Sequence, residues 1–465
     1  MKDLTHGSIV SHILGMAPPI VAGMITIMIC QLVDLYFVAG LGEAAVAGVA
    51  AAGNAGFLIN GLMQILGVGT VALIAQAVGR RDRADANLVF NQSIMLSVLC
   101  GLLTLVAGSA LARLYMRAVA ADEATVEAGT TYLLWFMPAL ALQFATQVVG
   151  AALRATGIVR PTMLVQVLAV IINIALAPVL IAGWGTGHAL GVAGAGLASS
   201  IAVLIGALLL LAYFLKFERY VRFDRAQWRP QLRHWKRILA IGLPAGGEFA
   251  IIFVWMGVIY YVLRDFGAAA QAGFGIGTRV LGLIQMPALA VALAAAPIVG
   301  QNFGAGNSDR VRETFAKAVL IGTVVMASFT ILAQWRPGLL LAGFSNDRET
   351  MAVAAQFLQL VTLNLVAQGV NFTCNAVFQG LGNTRPVLLS SAARLITYAV
   401  PAIWLSRRPG FAIEYVWYLS IATTTLQAVL GLWLLRREFR KRLAPKQQAI
   451  SPERVAAEPS SRASA

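Results

Sequence analysis

The stretch Ile20–Gly42 reads IVAGMITIMICQLVDLYFVAGLG. At 1.5 Å per residue it is long enough to cross a hydrocarbon core of ~30 Å, and its side chains are almost all apolar. Asp34 is the exception. A carboxylate at membrane depth is costly unless it is neutralised, paired or hydrated, so an intramembrane acid marks a functional position by default. A structural alternative is a carboxylate near the outer end of a long helix, reaching headgroups or water.

The rest of the chain repeats the pattern of that first segment. Of its 465 residues 59% are hydrophobic and 12% charged, with a mean hydropathy of +0.77. A soluble protein carries roughly twice that charge. Twelve apolar runs lie at about 12–40, 44–78, 86–112, 124–153, 161–183, 190–215, 238–263, 267–301, 313–342, 350–381, 386–405 and 411–435, each long enough to span a bilayer. The first is too long for a signal-peptide core and lacks a small-residue cleavage pattern after it, so it is expected to remain as a helix. Cys30, Cys100 and Cys374 fall inside apolar runs without metal-ligand spacing and are read as small core residues.

The net charge of +15 is a topological signal rather than a nucleic-acid footprint. Alternating the twelve runs across the membrane places 26 Lys/Arg on the side of both termini and seven on the other, with Arg279 and Arg394 inside helices. The positive-inside rule then puts both termini and the central connection in the cytoplasm, against anionic lipid.

The chain is also duplicated at an offset of 225. Gly42, Ala44, Ala45, Ala47 and Gly48 recur as Gly267, Ala269, Ala270, Ala272 and Gly273; Gln143 recurs as Gln368; Gly157, Arg160 and Pro161 recur as Gly382, Arg385 and Pro386. With small shifts, Val78 and Gly79 match Val299 and Gly300, and Pro18 matches Pro244. Six spans per copy make the repeats parallel. The expected fold is an all-α integral membrane protein of twelve transmembrane helices in two six-helix lobes around a central cavity, a design that serves alternating access. The expected organisation is an N-lobe over 1–215, a basic interlobe linker over 216–237 lying in the interface, a C-lobe over 238–442, and a disordered tail over 443–465.

Function need not be duplicated. The repeat mate of Asp34 is Ile259, so the carboxylate belongs to the first lobe alone, with Gln31 on the same helix face at i−3. In low dielectric such a group can gain and lose a proton, which makes it a coupling site for H+ or Na+ and a competitor for cationic substrates. Glu248 and Arg279 lie deep in the seventh and eighth segments, where they could form a structural ion pair, or Glu248 could be a second ion or substrate site. Asn364, Gln368, Asn371 and Asn375 form a polar stripe at i, i+4, i+7 and i+11, either bonding to neighbouring helices or lining the cavity. Asn60 and Gln64, Gln143 and Gln147, and the lone amide Asn173 give weaker versions in the first lobe. Trp255, with Met256 and Tyr260, offers an adaptable surface for apolar or cationic ligands. Prolines 18, 19, 138, 178, 244, 287, 297 and 401 are expected to interrupt helices. No phosphate-binding loop, histidine cluster or nucleophile-and-base arrangement is present, so neither a built-in ATPase nor a membrane enzyme is expected. No cofactor is expected either.

These residues resemble the multidrug and toxic compound extrusion (MATE) family over about 8–440. The resemblance is carried by Val33, Asp34, Phe37, Val38, Leu41 and Gly42; by Gly79; by Ala152, Leu153, Arg154, Arg160 and Pro161; by Gly242, Pro244 and Glu248; by Val299, Gly300, Gln301, Gly304, Ala305 and Gly306; and by Phe378 to Gly382, Asn383, Thr384, Arg385 and Pro386. It implies a monomeric exporter in the bacterial inner membrane, exchanging organic, often cationic, compounds for protons or Na+. It places Asp34 on the family's first-helix coupling acid and Asn173 on a fifth-helix ligand position. One bacterial subgroup carries Asp four residues after that Asn, where this chain has Ala177, and another carries a carboxylate where this chain has Gln368. These departures leave Asp34 with fewer acidic partners, and because one carboxylate suffices for protons, proton coupling is the first expectation, Na+ near Asp34 the second; Asp34, Asn173 and Glu248 are the ion-coupling candidates. A flippase for lipid-linked sugars is the alternative within transport, and a non-transporting receptor or assembly protein the alternative outside it.

Overall fold

The computed structural model describes residues 2–218, 220–341 and 347–443; Arg219 and the predicted disordered tail beyond 443 lie outside the described residues. Within them, twelve helical spans are long and apolar enough to cross a membrane. The first lobe contains α1 (Ile9–Ala39), α2 (Glu43–Gly79), α3 (Arg83–Val119), α4 (Glu123–Ala155), α5 (Arg160–Ile181) and α6 (Val192–Phe217). The second contains α7 (Leu232–Leu263), α8 (Ala268–Gly304), α9 (Ser308–Trp335), the short α10 (Pro337–Leu341), α11 (Arg348–Val361), α12 (Leu365–Leu381), α13 (Arg385–Ser406) and α14 (Glu414–Arg442). The ninth span is shorter than its apolar run, because Pro337 starts a separate helical turn after Trp335.

The repeat is visible in local chemistry. Asp122 and Asp347, 225 residues apart, are both N-caps, accepting from Thr125 N at 2.8 Å and Thr350 N at 2.9 Å. Gly48 packs on the Thr125 carbonyl and Gly273 on the Thr350 carbonyl, contacts that a Cβ at either site would obstruct.

The lobes meet at the end that carries both chain ends, again in pairs. A Cβ on Gly79 would sit 1.9 Å from the Gln301 carbonyl oxygen, and one on Gly304 would sit 2.1 Å from that of Gln76. Gln76 donates to the Gly380 carbonyl at 2.9 Å, and Gln301 donates to the Ala155 carbonyl at 2.8 Å. All three correspondences, Gly79 with Gly304, Gln76 with Gln301 and Ala155 with Gly380, keep the 225 offset, which corrects the shifted alignment read from sequence: Gly79 answers Gly304, not Gly300. Glycine occurs here because the α2 and α8 backbones approach more closely than side chains permit. Alongside, Gly242 and Gly246 of α7 accommodate Ile65 of α2, and Phe249 lies against Gly61 and 6.1 Å from the Phe57 ring.

The segment before α1 is wedged into this closed end. Lys2 N donates to the Thr156 carbonyl of the first lobe (2.8 Å), and Leu4 N donates to Gln301 Oε1 of the second (3.0 Å). Asn302 donates to the Leu4 carbonyl and Arg310 to the Gly7 carbonyl, at 3.1 and 2.9 Å. Leu4 itself is fully buried, in an apolar cluster with Ile9, Ile13 and Met16 of α1 and Ala290 to Ala296 of α8.

Between Phe217 and Leu232 the described linker residues hold one 3-10 turn, Arg225–Gln227, and three buried amides clamp the segment to α3. Asn87 Oδ1 accepts from Arg222 N (2.8 Å). Asn91 Oδ1 accepts from Asp224 N (3.0 Å) and Trp228 Nε1 (3.1 Å), and Gln92 donates to the Gln227 and Arg229 carbonyls (2.7 and 2.9 Å). The prolines, for their part, do not end helices; α1 runs through Pro18 and Pro19, and α8 through Pro287 and Pro297. The break within a span falls instead at the 3-10 turn Thr362–Asn364, which carries no proline. There α9 supplies the missing partners: Gln334 donates to the Gln359 carbonyl (2.5 Å) and Thr330 to the Thr362 carbonyl (2.9 Å).

Candidate functional site

Asp34 lies five residues before the end of α1, away from the closed end. Its amide partner comes from α5 and is held in turn by α6. With its nitrogen turned to the acid, Asn173 donates to Asp34 Oδ1 at 2.8 Å, while its oxygen accepts from Ser199 N and Oγ at 3.3 and 3.1 Å. Cys30, one turn earlier, places its thiol 3.9 Å from Asp34 Oδ2. Asn173 is 2% exposed, so its amide is oriented by these bonds rather than by solvent. The group is a half-buried carboxylate on a satisfied amide and hydroxyl, an arrangement able to bind or release a small cation without rebuilding its surroundings.

The second lobe lacks this construction. At the 225 offset, Asp34, Asn173 and Ser199 become Ile259, Tyr398 and Thr424, at 1%, 0% and 1% exposure. Ala177 is fully buried with Val38, Ala45, Ile181 and Ala195, so the position of the missing acid is apolar packing.

The second lobe builds a different acidic centre, at Glu248, in mid-helix on α7. Asn375 of α12 and Ser391 of α13 both donate to Glu248 Oε1, at 3.0 and 3.2 Å. Gln427 of α14 donates to Ser391 Oγ (3.1 Å) and accepts from Arg394 Nη1 (3.4 Å), whose guanidinium stands 4.9 Å from the Trp255 ring centre. The mates of Glu248, Asn375 and Ser391 are Gly23, Gly150 and Gln166, so this centre too is unduplicated. Arg279 does not join it; that side chain is exposed on α8. Arg394 points into the lobe, toward Gln427 and the Trp255 ring.

The remaining candidates separate. Gln64 and Gln147 hydrogen-bond to each other within the first lobe. The polar stripe divides: Asn375 serves Glu248, Asn371 donates to the Thr424 carbonyl of α14 at 3.5 Å, Asn364 is buried at the 3-10 turn, and Gln368 is half-buried. Gln143, its repeat mate, is also half-buried, whereas Gln31 and Asn60 are exposed. Trp255 packs inside the second lobe, its ring tilted against that of Tyr398 at 5.8 Å. Sequence reading did not find Ser199, Ser391 or Gln427. Each is an ordinary small or amide residue in an apolar helix, and only its neighbour gives it meaning. Gln76 and Gln301 were detectable, since they recur at the unshifted offset.

The family model described as MatE matches the chain twice, over 19–179 and 244–404, stretches that begin 225 residues apart. Among curated relatives, the probable multidrug resistance protein YoeA of Bacillus subtilis (strain 168) is 25% identical over 402 residues, spanning 85% of this chain and 82% of its own. The multidrug export protein MepA of Staphylococcus saprophyticus is 24% identical, covering 94% and 97%. Among solved structures, an outward-facing multidrug resistance MATE family transporter of the MOP superfamily superposes with a TM-score of 0.87 at 23% identity, over 94% and 97% of the two chains.

Proposed function

Because the chain belongs to the MatE family of multidrug efflux transporters, we propose that it exports hydrophobic, cationic small molecules in exchange for protons, with Asp34 as the main coupling carboxylate. The observation that carries this reading is the Asp34, Asn173 and Ser199 cluster, which exists in one lobe only. A single carboxylate suffices for proton exchange, and Ala177 offers no second acid for a cation site.

In this reading protonation of Asp34 removes the charge that Asn173 solvates and alters how α1 seats on α5. Because α1 also packs on α8 at the closed end, through Ile9, Ile13 and Met16, a change along α1 reaches the interlobe contact. The lobes 1–215 and 238–442 would then rock about the linker, a rigid-body exchange of access. The excess of basic residues on the side of both termini in the twelve-span reading of the sequence supports a cytoplasmic location for both, by the positive-inside rule. We take the working unit to be a monomer, because both lobes lie within one chain.

Proteoliposomes loaded with a cationic dye and given a pH gradient test the proposal. Wild type should drive dye movement against proton flux, and Asp34→Asn should reduce it at least roughly tenfold while dye binding persists. Equal transport by the two would remove Asp34 from coupling. Movement of a lipid-linked sugar but of no cation would overturn the exporter reading itself.

A further inference from the structure

We infer that Arg279 is a recognition point for an anionic group, carboxylate or phosphate, on amphipathic substrates held between the lobes; the inference rests on the exporter reading above and extends its substrate class. Arg279 stands 11 residues into α8 from Ala268, roughly 17 Å below the helix end. It is exposed, and no hydrogen bond, ion pair or ring contact holds its side chain among the described residues. An uncompensated guanidinium at that depth is tolerated only where it faces water or a ligand.

The face it occupies identifies which. At about 100° per residue, Arg279, Ala290, Pro297 and Gly304 share one side of α8. The lower members of that side form the interlobe contact: Ala290 and Pro297 are buried, and Gly304 abuts the Gln76 carbonyl of the first lobe. Arg279 therefore continues the interlobe surface upward, past the seal, into the cleft. Near it on that side, Ala272 is exposed, Met286 is half-buried, and a Cβ on Gly282 would meet nothing within 4 Å. Tyr260 borders the same wall, 39% exposed, its hydroxyl 3.6 Å from where a Gly275 Cβ would lie.

The charge is again the property of one lobe. The repeat mate of Arg279 is Asn54, so a carboxylate distinguishes the first lobe and a guanidinium the second. Guanidinium binds carboxylate or phosphate through two parallel N–H donors, with the apolar body left to Tyr260 and Met286. A ligand with an anionic group beside a delocalised cation would satisfy both lobes at once.

Rhodamine 110 and its methyl ester, rhodamine 123, differ only in whether the carboxylate is free, and so isolate this contact. Their binding to the purified full-length protein in dodecyl maltoside micelles is read by fluorescence polarisation, with thermal unfolding as a check on folding. Arg279→Ala should lower the rhodamine 110 to rhodamine 123 affinity ratio roughly tenfold or more, as expected for loss of a charge-assisted contact. Arg279→Asn, which installs the other lobe's residue, should do the same, and Arg279→Lys should retain part of the preference. An unchanged ratio, or failure of wild type to bind rhodamine 110, would overturn the inference. Displacement of rhodamine 110 by phosphatidylglycerol in wild type but not in Arg279→Ala would reassign the contact to a lipid headgroup and overturn it as well. Proton-driven rhodamine 123 efflux, measured separately, sustains the exporter reading whatever the ratio shows.

Discussion

Ala177 shows how much one side chain can decide. A neighbouring subgroup's second acid would fall there, within reach of Asn173, yet the site is fully buried among Val38, Ala45, Ile181 and Ala195. Ala177→Asp should therefore destabilise before it couples, because a carboxyl placed in apolar packing leaves its oxygens without donors, costing about 1–3 kcal/mol. A lowered unfolding temperature in detergent is the expected outcome; unchanged stability with stronger Na+ dependence would mean that the site has room and donors after all. Asp34 was legible in sequence because charge in an apolar run is unmistakable. Ser199 was not, since its hydroxyl acquires a role only when α5 and α6 pack together.

Among elements, the linker departs furthest from its sequence pattern. Its aromatics and arginines suit a membrane surface, but the controlling residues lie 130 or more positions earlier, on α3. Asn91, 0% exposed, alone holds Asp224 N, Trp228 Nε1 and the Arg222 carbonyl. Asn91→Leu removes these partners together, each buried group left unsatisfied costing about 1–3 kcal/mol. Trypsin should then cut between Arg222 and Arg229 at least several-fold faster than in wild type, with the helices left intact. Resistance equal to wild type would show that packing, not the amide clamp, orders the segment. The break at Thr362–Asn364 has the same origin: α9 completes the hydrogen bonds that allow it, and nothing in the segment itself announces it.

At the scale of the molecule, the two lobes are held together by paired glycine contacts and by the N-terminal strap, which bonds to Thr156 on one side and to Gln301, Asn302 and Arg310 on the other. Deleting residues 2–7 should loosen the closed end, so that spin labels placed across it report longer and broader distances; an unchanged distribution would assign the seal to α2 and α8 alone. Acidification should not mimic the deletion. The Thr5 hydroxyl and backbone N–H on its carboxylate hold Asp3 at about 2, below the usual carboxylate range. Its stabilising bonds are therefore present above pH ~4 and lost only as pH falls through about 2. By itself the sequence determined twelve spans, their duplication and the asymmetric acid at Asp34, because hydrophobic length, periodicity and misplaced charge are local properties that survive without a partner. Only the tertiary structure decided what those groups touch. Glu248 meets Asn375 and Ser391 rather than Arg279, which stands exposed on α8, because side-chain pairing depends on the rotation of each helix within its bundle, and that rotation is set by packing against helices distant in sequence.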